Sequence, residues 1–423
     1  MISLPFFQFI ICLIFAIGAI VIDAYPAQNR SNIFQIDDNT NTATTEGPIS
    51  LLKPRDLLDD DTEAPQLAFI SNNKLGNPPS PFKYRRDQSE GQGVTIFILD
   101  DGLNIDLPEF DQSDREVRGY AVPITRDIDF FAPQTLLGIP NRFSHGVMVT
   151  ALAAGKTLGP APKSNIEFVK IYAETARGDS HPVTFLEMWE GGFQYVLKRV
   201  SELKKAGMVK CVVNMSQYSE KAPQAHRAEH WSKILHEFYG KLQEYGVVVV
   251  LAGGNEGLRK NEEGDYLNQS YNDFFQLEIG EQYDNVVTVG GLEGDGTLWP
   301  ETLPRTLCGN EGATIYAPAV DLRRVLKTGD YEIADTFGTS LAAPVVTGTL
   351  AYFLGINAEK PPDTYKSLVD KIYSDNKVDA TALVQYMIDI SHKSTKVLGE
   401  NVGELPYEPP TELRVLYNGA GGV

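Results

Sequence analysis

The sequence predicts an α/β domain built on a mainly parallel central sheet flanked by helices. Three observations carry this expectation. Short apolar, β-branched runs alternate with longer helical patterns from residue 94 to residue 354. The first run, residues 94–100, is apolar at successive positions, as a strand covered on both faces must be. And 42% of the 423 residues are hydrophobic, enough for a substantial core in one large domain.

The elements follow in order. After the strand at 94–100, a small-residue helix spans 145–154, with Val147, Ala151 and Ala154 on its buried side. A strand at 165–172, a helix at 184–205 and a strand at 209–216 come next. The helix at 223–245 shows an apolar stripe of Trp231, Ile234, Leu235, Phe238 and Leu242. Strands at 247–252 and 285–290 continue the series, and a last core helix covers 339–354. The tail holds two helical patterns, 364–373 and 379–390. Pro406, Pro409 and Pro410 then mark an extended run before a strand-like end at 413–417. In such sheets functional loops gather at the carboxyl ends of the strands. Asp100, Ser216 and the Gly253-Gly254-Asn255 turn all fall there.

Composition sets further bounds. A formal charge of −19 argues against a nucleic-acid partner, whose phosphates would be repelled. Residues 1–24 are almost wholly apolar without flanking Lys or Arg, which reads as a signal peptide and predicts secretion. Residues 25–63 are rich in Asn, Thr and Asp without a sustained period, and read as a short acidic pro-segment or linker; the domain is expected over 64–423. Once Cys12 leaves with the signal peptide, Cys211 and Cys308 remain, and the sequence leaves their pairing open. Asn29 and Asn268 begin usable glycosylation sequons.

Three segments carry the chemistry. Asp100 ends the first apolar run. His145 opens the small-residue helix. Ser340 opens the last core helix in Gly338-Thr339-Ser340-Leu341-Ala342. A serine at a helix start needs a base to take its proton, and the free N–H groups there suit a developing oxyanion. His145 is the expected base and then acid, Asp100 the group that fixes its tautomer, and Asn255 a side-chain donor for the oxyanion. Asp101 adds a second charge beside His145, and is expected to raise its pKa. The α/β-hydrolase elbow is excluded, because Ala342 stands where that motif needs Gly.

The order Asp, His, Ser with these surroundings resembles the subtilisin-like serine proteases, closest to the secreted fungal, proteinase K-like branch. The likeness extends to Pro160-Ala161-Pro162, Val213-Asn214-Met215-Ser216, Ile315-Tyr316-Ala317-Pro318 and the terminal Val415-Leu416-Tyr417-Asn418-Gly419. It implies the three-layer subtilisin-like fold and a serine-type endopeptidase acting on protein or peptide substrates. It also implies a substrate cleft along Ser216, Gln217, Tyr218 and Leu251, Ala252, Gly253. No cofactor is required on this reading; structural calcium is common in the family, but no ligand pattern here demands it. A monomer free of the membrane after signal removal is expected.

The sequence departs from the family in places. Gln217-Tyr218 stands for Leu-Gly, Asp101 for Thr or Ser, Val147-Met148 for Thr-His, Ala343 for Ser or Thr, and Ala319 for Gly. These departures and the short pro-segment keep a second reading open: a catalytically impaired subtilase-fold secreted binding or effector protein. His226-Arg227-Ala228-Glu229-His230 spells an inverted zinc-protease motif, but no third ligand at suitable spacing accompanies it and the apolar stripe explains the helix. No metal site is therefore expected.

Overall fold

Every residue of the strand Thr95–Asp100 is buried, and its alternate side chains enter two different cores. Ile96 and Ile98 join one core, Phe97 and Leu99 the other, as the continuous apolar run requires. The computed structural model describes residues 57–76, 78, 80–123, 145–172, 186–219, 225–307, 311–325, 331–333, 336–374, 377–399, 402–403 and 405–420. The apolar stretch 1–24, residues 25–56, Ser144 and Cys308 lie outside the described residues.

The chain begins its described course with β1 (Leu58–Asp61) and β2 (Lys83–Arg86), an antiparallel pair enclosing α1 (Pro65–Ser71). Lys83 reaches Asp61 at 2.7 Å and Arg86 reaches Asp60 at 2.9 Å across the pair. The acidic end of the segment expected before the domain is thus a strand of the folded body. Then come β3 (Thr95–Asp100), β4 (Val117–Ala121), α2 (His145–Ala154), β5 (Asn165–Lys170), α3 (Leu186–Ala206), β6 (Cys211–Met215), α4 (Ala225–Tyr245) and β7 (Val248–Ala252). Next are α5 (Phe275–Gly280), β8 (Val286–Leu292), β9 (Ile315–Pro318), the hairpin β10 (Arg323–Val325) and β11 (Tyr331–Ile333), and α6 (Thr339–Gly355). The tail adds α7 (Lys366–Ile372), the short pair β12 (Tyr373–Ser374) and β13 (Lys377–Val378), α8 (Ala380–Ile390), β14 (His392–Ser394) and β15 (Leu413–Val415).

One nine-stranded sheet runs in the order β14-β15-β9-β8-β7-β6-β3-β5-β4. All its pairings are parallel except β14 with β15. Helices α2, α6, α7 and α8 cover one face; α3, α4 and α5 cover the other. This is the expected three-layer α/β arrangement. β3 pairs with β5 on one side and β6 on the other, so the chain reverses its winding at β3. A crevice opens at such a point outside the strand ends. Asp100 sits there.

The elements missed from sequence are the short ones. β4, α5 and the β10–β11 hairpin span five, six and three residues per element, too few for a period to register. Gly348 lets α6 approach α2: a Cβ there would lie 2.2 Å from the Ala153 carbonyl oxygen. Cys211 is buried and free, a small apolar side chain of the second core.

Candidate active site

The helices α2 and α6 are each buried along their whole length except at one residue. In α2 the exception is His145; in α6 it is Ser340. Both exceptions stand at helix starts and face the crevice beside Asp100.

The three side chains form one line. Asp100 is fully buried, and its two oxygens lie 2.9 and 3.0 Å from His145 Nδ1. His145 Nε2 lies 3.0 Å from Ser340 Oγ. An ionised carboxylate can only accept, so Nδ1 carries the proton and Nε2 is left to accept from the serine hydroxyl. That is the tautomer a general base needs.

Several bonds hold the line in register. Gly338, at φ 145°, takes a backbone conformation that favours glycine and turns the chain into α6. Pro344 is the sixth residue of α6, past the first turn, so it withholds the N–H that Ser340 O would accept. The Ser216 hydroxyl donates to that carbonyl instead, at 2.9 Å. Asn214 Nδ2 donates to Ser216 Oγ at 2.9 Å, and Thr347 Oγ1 donates to Asn214 Oδ1 at 2.9 Å. The Ser216 side chain therefore braces the nucleophile's helix from the end of β6. Asn214-Met215-Ser216 also spells a glycosylation sequon, but Asn214 is buried, while Asn268 is exposed.

Asn255 is oriented by Thr339. Its Oδ1 accepts from Thr339 N and Thr339 Oγ1, both at 2.9 Å. The amide end faces the serine: a Cβ built on Gly338 would lie 3.2 Å from Ser340 Oγ and 3.5 Å from Asn255 Nδ2. Asn255 Nδ2 and the backbone N–H of Ser340, in the first turn of α6, thus flank one small space.

The expected substrate residues divide. Leu251 and Ala252 are buried in β7, and Gly253 N donates to Val289 O at 2.9 Å. Tyr218 bridges the ends of β6 and β7. Its hydroxyl donates to Glu256 Oε1 at 2.8 Å and accepts from Asn255 N at 3.1 Å, and its ring stands edge-on to Phe274 at 5.0 Å. Gln217 lies between His145 and Tyr172. Neither the Glu256 bridge nor the Thr339 brace was read from sequence. Glu256 directly follows the Gly253-Gly254-Asn255 turn and Thr339 directly precedes Ser340, and that adjacency is the signal that could have found them.

Asp101 takes a role its position alone did not reveal. Its carboxylate accepts from His145 N at 3.2 Å and Gly146 N at 2.8 Å, capping the helix that carries the base. Burial is the largest influence on the His145 pKa and pushes it down. The Asp100 charge, its hydrogen bond and then the Asp101 charge outweigh burial, so the net shift is upward. Asp101→Asn is expected to move the imidazole midpoint down. Titration of ¹⁵N-labelled histidine by NMR reads it directly; an unchanged or higher midpoint would remove Asp101 from the account.

His230 is exposed and lies 3.4 Å from Glu190 Oε2, while Trp231, Leu235, Phe238 and Leu242 face the core. The His226 side chain lies outside the described residues. Among the described residues, no group of three or more His, Cys, Asp or Glu is placed to hold a metal, and no helix is long and apolar enough to cross a membrane.

The chain is similar to several known proteins. Subtilase-type proteinase RRT12 of Saccharomyces cerevisiae is 24% identical over 336 residues, covering 79% of this chain and 54% of that protein. Subtilisin-like protease 2 of Arthroderma otae is 27% identical over 290 residues, covering 68% of this chain and 55% of its own. Cerevisin of Saccharomyces cerevisiae is 26% identical over 361 residues, covering 84% and 46%. The chain spans about half the length of these relatives. The crystal structure of a cold adapted subtilisin-like serine proteinase shares the fold, with a TM-score of 0.55 at 19% identity, over 84% of this chain and 97% of that one. The subtilase family profile matches residues 91–382, which contain Asp100, His145, Asn255 and Ser340, and the chain therefore belongs to the subtilase family.

Proposed function

We propose that the chain is a secreted serine endopeptidase. The observation that carries this is the continuous line Asp100–His145–Ser340, with contacts of 2.9 and 3.0 Å, in a subtilase fold. Ser340 Oγ attacks the scissile carbonyl carbon as His145 Nε2 takes its proton. The tetrahedral oxyanion is met by Asn255 Nδ2 and the Ser340 N–H. His145 then gives the proton to the leaving amine, and water repeats the sequence on the acyl-enzyme. Secretion rests on the apolar stretch 1–24. A fluorophosphonate probe should label the full chain at Ser340 and leave Ser340→Ala unlabelled. Wild type that resists the probe would favour the impaired binding or effector reading.

The Tyr218 bridge supports a restricted P1 pocket. Its ring lies between the two strand ends where the family leaves room beside a Gly. Small P1 residues should be preferred. Tyr218→Gly should widen the choice toward Phe and Leu by about 1–3 kcal/mol in kcat/KM. Tetrapeptide substrates differing only at P1 decide it; matching profiles for wild type and variant would show that the ring is not the barrier.

A further inference from the structure

The polar contacts of His145 include one that the triad does not account for. Gln217 Nε2 lies 3.1 Å from His145 Nδ1, and the Tyr172 hydroxyl donates to Gln217 Oε1 at 3.2 Å. The other groups facing the ring are Asp100 at the end of β3, Asp101 just beyond it, and Ser340 on α6. With Nδ1 protonated for Asp100, an amide NH₂ facing it sets two donors against each other. Half a turn of the amide exchanges two atoms of nearly equal size and removes the conflict. Oε1 then faces Nδ1–H, and Nε2 donates to the Tyr172 oxygen. Burial, with the charges of Asp100 and Asp101, keeps the Tyr172 phenol far from ionising, so its hydroxyl remains a fixed neutral partner.

We propose that Gln217 is a positioning residue for the base: anchored by Tyr172, it turns its amide carbonyl to His145 and holds the ring, proton on Nδ1, against Asp100. The inference rests on the proposed role of His145 as base. Its physical content is a second acceptor for a ring that becomes cationic during reaction. A neutral carbonyl adds little to the neutral imidazole and more to the imidazolium, because hydrogen bonds to a charged group are the stronger kind. The Leu that the family favours at this position offers no acceptor, so this chain would hold its base by one contact more.

The test uses the full chain with Gln217→Leu, Gln217→Glu and Tyr172→Phe. Gln217→Leu should move the acidic limb of the kcat/KM profile to lower pH by about one unit, the size expected for losing one acceptor to a charged ring. Gln217→Glu should move it to higher pH, since a carboxylate favours the imidazolium further. Tyr172→Phe, which frees the amide to turn, should give a smaller shift in the direction of Gln217→Leu. A structural role alone would lower activity without moving the limb. NMR titration of ¹⁵N-labelled His145 reads the same shifts without turnover, so an inactive wild type would overturn the peptidase reading and still leave Gln217 testable. An unmoved midpoint in both Gln217→Leu and Gln217→Glu would overturn the proposal. So would an upward shift in Gln217→Leu, because it would mean that the amide presents its NH₂.

Discussion

Ser340→Ala, His145→Ala and Asp100→Ala should each lower kcat by roughly ten-thousand-fold to a millionfold, and the triple variant should be little worse than the worst single one. The reason lies in the line of contacts. His145 Nε2 can activate Ser340 only while Nδ1 keeps its proton, and Asp100 is the buried charge that keeps it there. Removing one member leaves the other two without a task, so the losses do not add. Asp100→Ala should be the mildest, since Asp101 still caps α2 and leaves a negative charge beside the ring. The Ser340 and His145 variants should fold, because these are the least buried residues of their helices. Steady-state hydrolysis of a peptide anilide measures the rates. A Ser340→Ala protein hydrolysing as fast as wild type would end the acyl-enzyme reading.

The sequence made this site legible because its parts sit at ends of long, strongly patterned elements. The run at 94–100 could be nothing but a strand covered on both faces, so Asp100 had to emerge at its carboxyl end. The helix 145–154 matches the observed α2 residue for residue, since small and apolar side chains fill all of it after His145. What stayed hidden depends on contacts between elements far apart in sequence. Asp101 looked like a second charge near the base; its larger part is a cap on α2, a bond between backbone N–H groups and a side chain 44 residues away. Pro344 leaves the Ser340 carbonyl without a helical donor, and the hydroxyl that compensates belongs to Ser216, just past β6 and 124 residues before Ser340. Gln217 was read as part of a substrate strand. Its contact with His145 arises only because β3, β5 and β6 are adjacent, which brings Asp100, Tyr172 and Gln217 to one edge. Hydrophobic period determines elements; it carries no information on which polar ends meet.

Asn255 is where site geometry and chemistry can be separated most sharply. Its two ends have different work. Oδ1 accepts from Thr339 N and Oγ1 and so fixes the start of α6; Nδ2 is turned toward the space beside Ser340 Oγ. Asn255→Ala removes both and should lower kcat by roughly a hundredfold to a thousandfold. Asn255→Asp keeps an acceptor for Thr339 but replaces the donor by a carboxylate, which repels an oxyanion. If the donor matters, Asn255→Asp should be at least as impaired as Asn255→Ala, with KM near wild type in both, because the lost interaction exists only in the transition state. If Asn255 acts chiefly by bracing Thr339, Asn255→Asp should recover most of the rate and Asn255→Ala should lose thermal stability along with activity. Comparing kcat, KM and Tm for the two variants distinguishes these outcomes. A near wild-type kcat in Asn255→Asp would remove Asn255 from the oxyanion site and leave the Ser340 N–H as the donor still assigned to it.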